Sequence, residues 1–458
     1  MGLLTNVFGA AIIEAYKILF DSITEKIEKG WVIMDKIRVV LPSKYDLVLG
    51  DTFQLFYRGV VEAPNPFCYD ILSVSEVGRN YPRYYEYTPD KPGEHLLTIS
   101  VFDAQKNLLG KGETILNVCE PKAPEKETNI LCIGDSLTGG GEWVTECYRR
   151  LTGTGGEPCG LGFSNINFIG TCKCGDVGHE GYGGWQWATF TSTSFDGIWV
   201  INMGHIKTDK DQHSIWKDAD GNLWQMETIR PDMIKFMRRT KHDGLLKKGT
   251  YLEHIEGAEK TEAILIEDTL NESVSPFLNK ETKKIEIKNY CKKHGYSGID
   301  YVYVMLGYNG LHVAKVPLRE HCKSIVADAK RLVDIIHEEY PDAKFRIAGF
   351  PVPSVTGGMG QYGAKLPYCD DYGMARVTMD LNIAYEEWTK EEEYKDFMEF
   401  INLSGQFDTD YSLPFEQKKV NTRSKITEMF GTNGIHPSFD GYMQIADCMF
   451  RSMAHIFK

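Results

Sequence analysis

Residues 130–138 read Ile-Leu-Cys-Ile-Gly-Asp-Ser-Leu-Thr. An apolar run of this kind reads as a strand covered on both faces of a parallel sheet. It stops abruptly at Gly134-Asp135-Ser136, which reads as a strand-to-helix turn. Ser136 then lies near a helix N-terminus, where backbone N–H groups lack partners and favour negative charge. A serine so placed has two readings. It caps the helix, or it attacks a carbonyl while the backbone donors hold the resulting oxyanion.

The pattern around this strand is α/β. From residue 129 onward, strands alternate with helices: "NILCIG", "INFIGT", "DYVYVMLG" and "KFRIAGFPV" as strands, "GEWVTECYRRLTG", "CKSIVADAKRLVDIIHEEY" and "GYMQIADCMFRSMAHIF" as helices. Such alternation predicts a parallel sheet with helices on both faces. Between the second and third strands, residues 193–275 form an insertion that reads as short hairpins, among them "WKDADGNLWQME" around an Asp-Gly turn. It is too long for a plain loop, and insertions at such an edge commonly shape a substrate site.

Upstream, residues 34–118 look all-β, with "KIRVVL", "TFQLFYRGVV", "YYEYTP" and "HLLTISVFD" as strands separated by turn chemistry. An immunoglobulin-like β-sandwich fits a segment of this size. "CEPKAPEKET" (119–128) is a polar linker, and 129–458 is one large domain. Residues 1–33 carry apolar residues near helical spacing (Leu3, Val7, Ala11, Ile12, Ala15, Ile18, Leu19), which predicts an amphipathic helix. A secretory signal is the competing reading, weakened by the lack of a basic leader. Without clear signal features, the expected compartment is the cytoplasm or an exported particle. The helix and the β-domain are candidates for oligomerisation or attachment.

Composition excludes some partners. The 458 residues carry 51 Lys and Arg against 64 Asp and Glu, a formal charge of −13. That argues against a nucleic-acid partner, whose affinity rests on a basic surface. No stretch approaches the ~20 apolar residues of a membrane span. The 11 cysteines do not resemble a disulfide framework. Cys147, Cys159, Cys172, Cys174 and His179 suggest zinc or a local disulfide, but Cys-Lys-Cys is not a usual chelating spacing, and free thiols are the preferred reading. No His-Glu-x-x-His or comparable cluster is present, so neither metal nor cofactor is expected.

Reactive residues gather where the apolar strands stop, the place where open α/β sheets bind ligands. "GHEGYGGWQW" (178–187) brings glycines that let backbone approach a ligand. "LGYNG" (306–310) brings Asn309, an amide able to donate to an oxyanion, or else a turn-forming Asn before Gly. "TNGIHPSFDGYMQIAD" (432–447) brings His436 just before the terminal helix, a natural general base for a serine hydroxyl.

In order and chemical type, these four blocks resemble those of the SGNH (GDSL-type) serine hydrolases: "GDSLT", "HEGYGGW", "LGYN" and "NGIHPS". The resemblance covers 129–458 less the insertion, and the lead-in to the third block is similar to carbohydrate-esterase-like and phage-borne relatives. It implies a flavodoxin-like three-layer sandwich without cofactor. It implies Ser136 as nucleophile, His436 as base, and oxyanion donors from the Ser136 N–H, the Gly184 N–H (Gly183 as alternative) and the Asn309 side chain. The implied substrate is an O-acetylated carbohydrate or another small ester. Trp185, Trp187, Trp216 and Trp224 would offer flat faces to sugar rings, unless they are core aromatics. No amphipathic lid is evident near the blocks, which disfavours a lipase.

Two positions depart from the family pattern. Gly310 stands where the third block usually has Asp, and Asn433 stands where the last block has the Asp of Asp-x-x-His. An Asn can accept a hydrogen bond from the imidazole N–H through its amide oxygen, but it supplies no full negative charge. Three readings follow. Ser136 and His436 work as a dyad with Asn433 or a backbone carbonyl orienting the ring. Another carboxylate, Glu180 or Asp440, substitutes. Or the domain is a weak or inactive esterase kept as a glycan-binding or assembly module.

Overall fold

In the computed structural model the described residues are 37–193, 198–202, 206–207, 214–230, 233–238, 246–255, 262–265, 275–311, 318–353 and 371–458. The amphipathic segment expected over 1–33 lies outside them.

Two sheets share the N-terminal apolar core. Lys44–Val48, Leu108–Cys119, Gly93–Phe102 and Asp70–Val74 pair in that order, and Phe53–Phe56, Tyr84–Tyr87 and Arg79–Asn80 form a three-stranded sheet. Alternation does the sorting: Leu97, Ile99 and Val101 point inward from one strand and meet Phe53, Leu55, Tyr85 and Leu116. "TFQLFYRGVV" does not run as one strand. It breaks after Phe56 into a 3₁₀ turn, Tyr57–Gly59. The cause is contact with the larger unit. A side chain at Gly59 would stand 1.8 Å from the Ser404 carbonyl oxygen, and the Ser404 hydroxyl donates to the Gly59 carbonyl at 2.7 Å. "KIRVVL" likewise contributes only Arg38–Val39, paired with Val61–Glu62.

The Thr128–Gly134 strand is buried along its whole length and forms the centre of the second sheet. Ile166–Ile169 pairs in parallel with its first half and Val177–Gly181 with its last residues. Tyr301–Met305 runs parallel on the other side, followed by Lys344–Ala348 and Met398–Ile401, also parallel. Cys172–Cys174 adds an antiparallel edge. The Met398–Ile401 strand escaped the sequence reading because "MEFI" is short and only half-buried. The Glu142–Thr152 helix packs against the terminal helix, Phe439–His455; Leu318–Glu339 packs against Asp371–Thr389. The insertion forms one antiparallel sheet of seven strands between Ile198 and Leu265. Trp216 and Trp224 face each other across its Ser214–Asp218 and Leu223–Arg230 pair. Among the described residues no helix is long and apolar enough to cross a membrane.

The β unit is tied to the helices of the larger unit through Asp51. Its carboxylate receives Arg150 Nη2 at 2.5 Å and Arg451 Nε at 2.6 Å. Burial by itself would raise the Asp51 pKa; the Arg451 and Arg150 guanidiniums override it and hold the carboxyl below its ordinary value. Arg150 also reaches Asp447 at 2.6 Å, so one network spans the helix that follows Ser136 and the helix that follows His436.

Candidate active site

The central strand ends at Gly134, and the chain turns at once into a short helix, Ser136–Gly139. Only glycine fits the turn: a Cβ at 134 would lie 2.1 Å from Thr138 Oγ1 and 2.8 Å from the Met305 carbonyl oxygen. Asp135 caps the helix, its Oδ1 accepting from the Leu137 N–H at 3.0 Å. Ser136 is therefore lifted above the carboxyl end of the sheet, partly exposed. Among the described residues, no hydrogen bond engages the backbone N–H groups of Ser136, Gly183 or Gly184.

His436 arrives from the far end of the chain. An exposed hairpin, Phe415–Lys419 with Thr427–Gly431, delivers the loop that carries it. The loop is pinned by the Thr432 N–H to the Pro414 carbonyl (2.9 Å) and by the Ser438 N–H to the Ser412 carbonyl (3.0 Å). Ser438 then caps the terminal helix. This geometry puts His436 Nε2 2.8 Å from Ser136 Oγ, although 300 positions separate the two residues. Burial lowers the His436 pKa, favouring a neutral ring.

Asn433 does not present its oxygen to that ring. Its Oδ1 accepts from the Ile435 N–H at 3.0 Å and from the His436 N–H at 2.9 Å, an Asx-type turn. The amide nitrogen, Nδ2, faces His436 Nδ1 at 3.3 Å. The expectation that Asn433 accepts from the imidazole is thus corrected: two local backbone donors claim the oxygen first.

Neither candidate replacement carboxylate takes that place. Glu180 is fully buried and accepts from the Thr171 N–H (2.6 Å), Thr171 Oγ1 (3.0 Å), the Tyr290 hydroxyl (2.5 Å) and the Tyr182 hydroxyl. Burial raises its pKa against those donors. Asp440 is exposed in the first turn of the terminal helix.

Asn309 joins three of the sequence blocks. Its Nδ2 donates to Asp135 Oδ2 at 3.2 Å and to the Trp185 carbonyl at 3.0 Å, so both amide hydrogens are engaged. Asp135 is the residue the sequence reading passed over, although it stands inside "GDSL". Burial pushes its carboxyl up to about 7, against the Leu137 N–H that favours the ionised form. Tyr385 supports the third block from a distant helix. Its hydroxyl donates to the Leu306 carbonyl (2.7 Å) and accepts from Trp187 Nε1 (2.8 Å). No local motif announces it. Gly184 has φ +76°, a left-handed turn that favours glycine, and lies exposed beside the ring pair of Tyr182 and Trp185, stacked at 4.1 Å.

The tryptophans are a second correction. Trp185, Trp187, Trp216 and Trp224 are all buried, at most 4% exposed. They are core aromatics, and none offers a face to a sugar. The ten described cysteines are free thiols. Among the described residues no three His, Cys, Asp or Glu side chains converge as a metal site. A cleft of about 650 Å³ opens elsewhere, between Ile37–Leu41, Leu108–Lys111 and the helix face bearing Ile383 and Glu386; neither Ser136 nor His436 lines it.

No protein-family model matches the chain, and no curated protein matches it. Among solved structures, the chain aligns with a peptidoglycan O-acetylesterase at 13% identity, over 72% of this chain and 92% of the other, with a TM-score of 0.28. It also aligns with a carbohydrate esterase family 2 enzyme plus carbohydrate binding domain from Corynascus thermopiles (Myceliophthora fergusii). There the identity is 11%, over 92% of this chain and 98% of the other, with a TM-score of 0.30. TM-scores this low carry no assignment of activity.

Proposed function

We propose that this chain is a serine ester hydrolase of the SGNH type, with a flavodoxin-like catalytic domain and an N-terminal β-sandwich. The observation that carries the reading is the 2.8 Å contact between Ser136 Oγ and His436 Nε2 at the carboxyl end of a parallel sheet. Ser136 Oγ attacks the ester carbonyl carbon while its proton passes to His436 Nε2. The tetrahedral oxyanion is held by the Ser136 and Gly184 N–H groups. Asn309 joins them when one of its amide hydrogens exchanges the Trp185 carbonyl for the oxyanion. Collapse expels the alcohol, which takes the proton from His436, and water then releases the acyl group by the same route. The substrate class is an O-acetylated carbohydrate, in keeping with the sequence resemblance.

One observation favours a second reading, a catalytically weak module that binds glycan: Asn433 sets an amide nitrogen, which carries no negative charge, 3.3 Å from His436 Nδ1. Hydrolysis of 4-nitrophenyl acetate by the full chain and by Ser136→Ala separates the two. The hydrolase reading expects the variant to fall to the uncatalysed background. Equal rates in both proteins would refute it.

A further inference from the structure

A neutral imidazole carries one hydrogen, and each ring nitrogen is either donor or acceptor. To accept the serine proton, His436 must hold its hydrogen on Nδ1 and keep the Nε2 lone pair toward Ser136. In serine hydrolases a carboxylate at Nδ1 enforces that arrangement. Here the Asn433 amide nitrogen lies 3.3 Å from Nδ1. Its orientation is not free to reverse, because Oδ1 is held by two backbone N–H groups of the same loop. Turning the amide would set its NH₂ against both donors and leave them without an acceptor. An NH₂ group can only donate, so this contact favours an accepting Nδ1. An accepting Nδ1 goes with a ring hydrogen on Nε2, the nitrogen that lies 2.8 Å from Ser136 Oγ.

We propose that Asn433 is a positioning residue that holds His436 in the Nε2–H tautomer, so that the resting site presents a donor to Ser136 and turns over only through a minor ring state. This rests on the ester-hydrolase reading and deepens it. In that tautomer, His436 donates to the serine oxygen and has no lone pair for its proton. Catalysis requires the hydrogen to leave Nε2 and appear on Nδ1 before attack. That movement breaks the Asn433 contact and places two donors face to face. In an unrelated serine protease, exchanging the corresponding Asp for Asn leaves the geometry intact and lowers turnover by about 10⁴ through the wrong tautomer. The present site carries that exchange natively, with the amide orientation locked by its own loop.

The test is Asn433→Asp in the full chain, beside wild type and Asn433→Ala. Substrate is 4-nitrophenyl acetate, and kcat and KM are followed from about pH 5 to 9. Ring 15N chemical shifts of His436 report which nitrogen is protonated. The expected result is a rise in kcat of about 10²–10⁴ for Asn433→Asp with KM little changed. The acid limb of its profile should move to higher pH, because a carboxylate beside Nδ1 favours the imidazolium. Wild type should show the hydrogen on Nε2 and Asn433→Asp on Nδ1. A purely structural role predicts instead that both variants lose activity. A wild-type ring protonated on Nδ1, or a folded Asn433→Asp no faster than wild type, would overturn the proposal. Should Asn433→Asp not fold, the wild-type spectrum alone still decides. Equal rates for wild type and Ser136→Ala would instead remove the hydrolase reading, while the tautomer measurement stands on its own.

Discussion

Asp51→Ala removes the carboxylate that joins the two arms of the candidate site. Arg150 belongs to the helix after Ser136, and Arg451 and Asp447 to the helix after His436. Asp51 is 9% exposed, Arg150 1% and Arg451 6%. In wild type two guanidiniums face two carboxylates. Without Asp51, Arg150 keeps Asp447 at 2.6 Å, and Arg451 keeps only neutral oxygens, Gln406 Oε1 at 2.9 Å and the Thr52 carbonyl at 2.7 Å. Breaking a buried pair in this way costs about 3–5 kcal/mol, because an uncompensated charge stays in a low dielectric. Against a total stability of about 5–15 kcal/mol, that is a large share. The assay is urea unfolding of the full chain followed by tryptophan fluorescence, with ester hydrolysis measured in parallel. The unfolding free energy should fall by the amount stated and the midpoint with it, and the rate should fall as the two helices lose their common anchor. The double exchange Asp51→Leu with Arg451→Met removes the guanidinium left without a carboxylate, keeps Arg150 on Asp447, and should recover most of the loss. A single-variant loss below about 1 kcal/mol, or a double variant no better than the single, would show that charge balance is not what holds this junction.

Other outcomes follow from the same geometry. Ser136→Ala and Asn433→Asp move hydrolysis in opposite directions, to background and upward, as measured with 4-nitrophenyl acetate. Gly134→Ala forces a methyl group 2.1 Å from Thr138 Oγ1; overpacking of this kind costs about 1–3 kcal/mol and displaces the Ser136 turn, so both melting temperature and turnover should fall. Asp135 has a folded pKa raised to about 7 from 3.8. Its contribution is therefore fully present below about pH 4 and lost as pH rises through 7, a swing of about 4 kcal/mol. Asp135→Asn, always neutral, should equal wild type or fall below it at pH 4 and gain on it at pH 8 in urea midpoints. The gain stays under that figure because the introduced amide opposes that of Asn309. A wild-type advantage that grows with pH would contradict the buried, raised carboxyl.

Periodicity and residue type made much of the architecture legible. "ILCIG" and "YVYVM" announced buried parallel strands because strands covered on both faces are apolar throughout. The N-terminal strands announced themselves by alternation. Gly-Asp-Ser, Asn309 and His436 were visible as polar residues where apolar runs end. Where contact between units decided the outcome, the sequence was silent. Tyr57–Gly59 became a 3₁₀ turn to meet Ser404. Four tryptophans that suit a sugar surface went into cores, since a tryptophan looks the same in a sequence whether it faces solvent or not.

The chain itself determined which chemical groups are available and where strands and helices begin, because those depend on neighbours a few residues apart. Tertiary structure alone decided what each polar atom faces. It closed 300 positions to 2.8 Å between Ser136 and His436, gave both Asn309 hydrogens to Asp135 and the Trp185 carbonyl, and turned the nitrogen of Asn433 toward the ring. The last follows from competition: an amide has one oxygen, two backbone N–H groups of the loop occupy it, and the imidazole meets what remains.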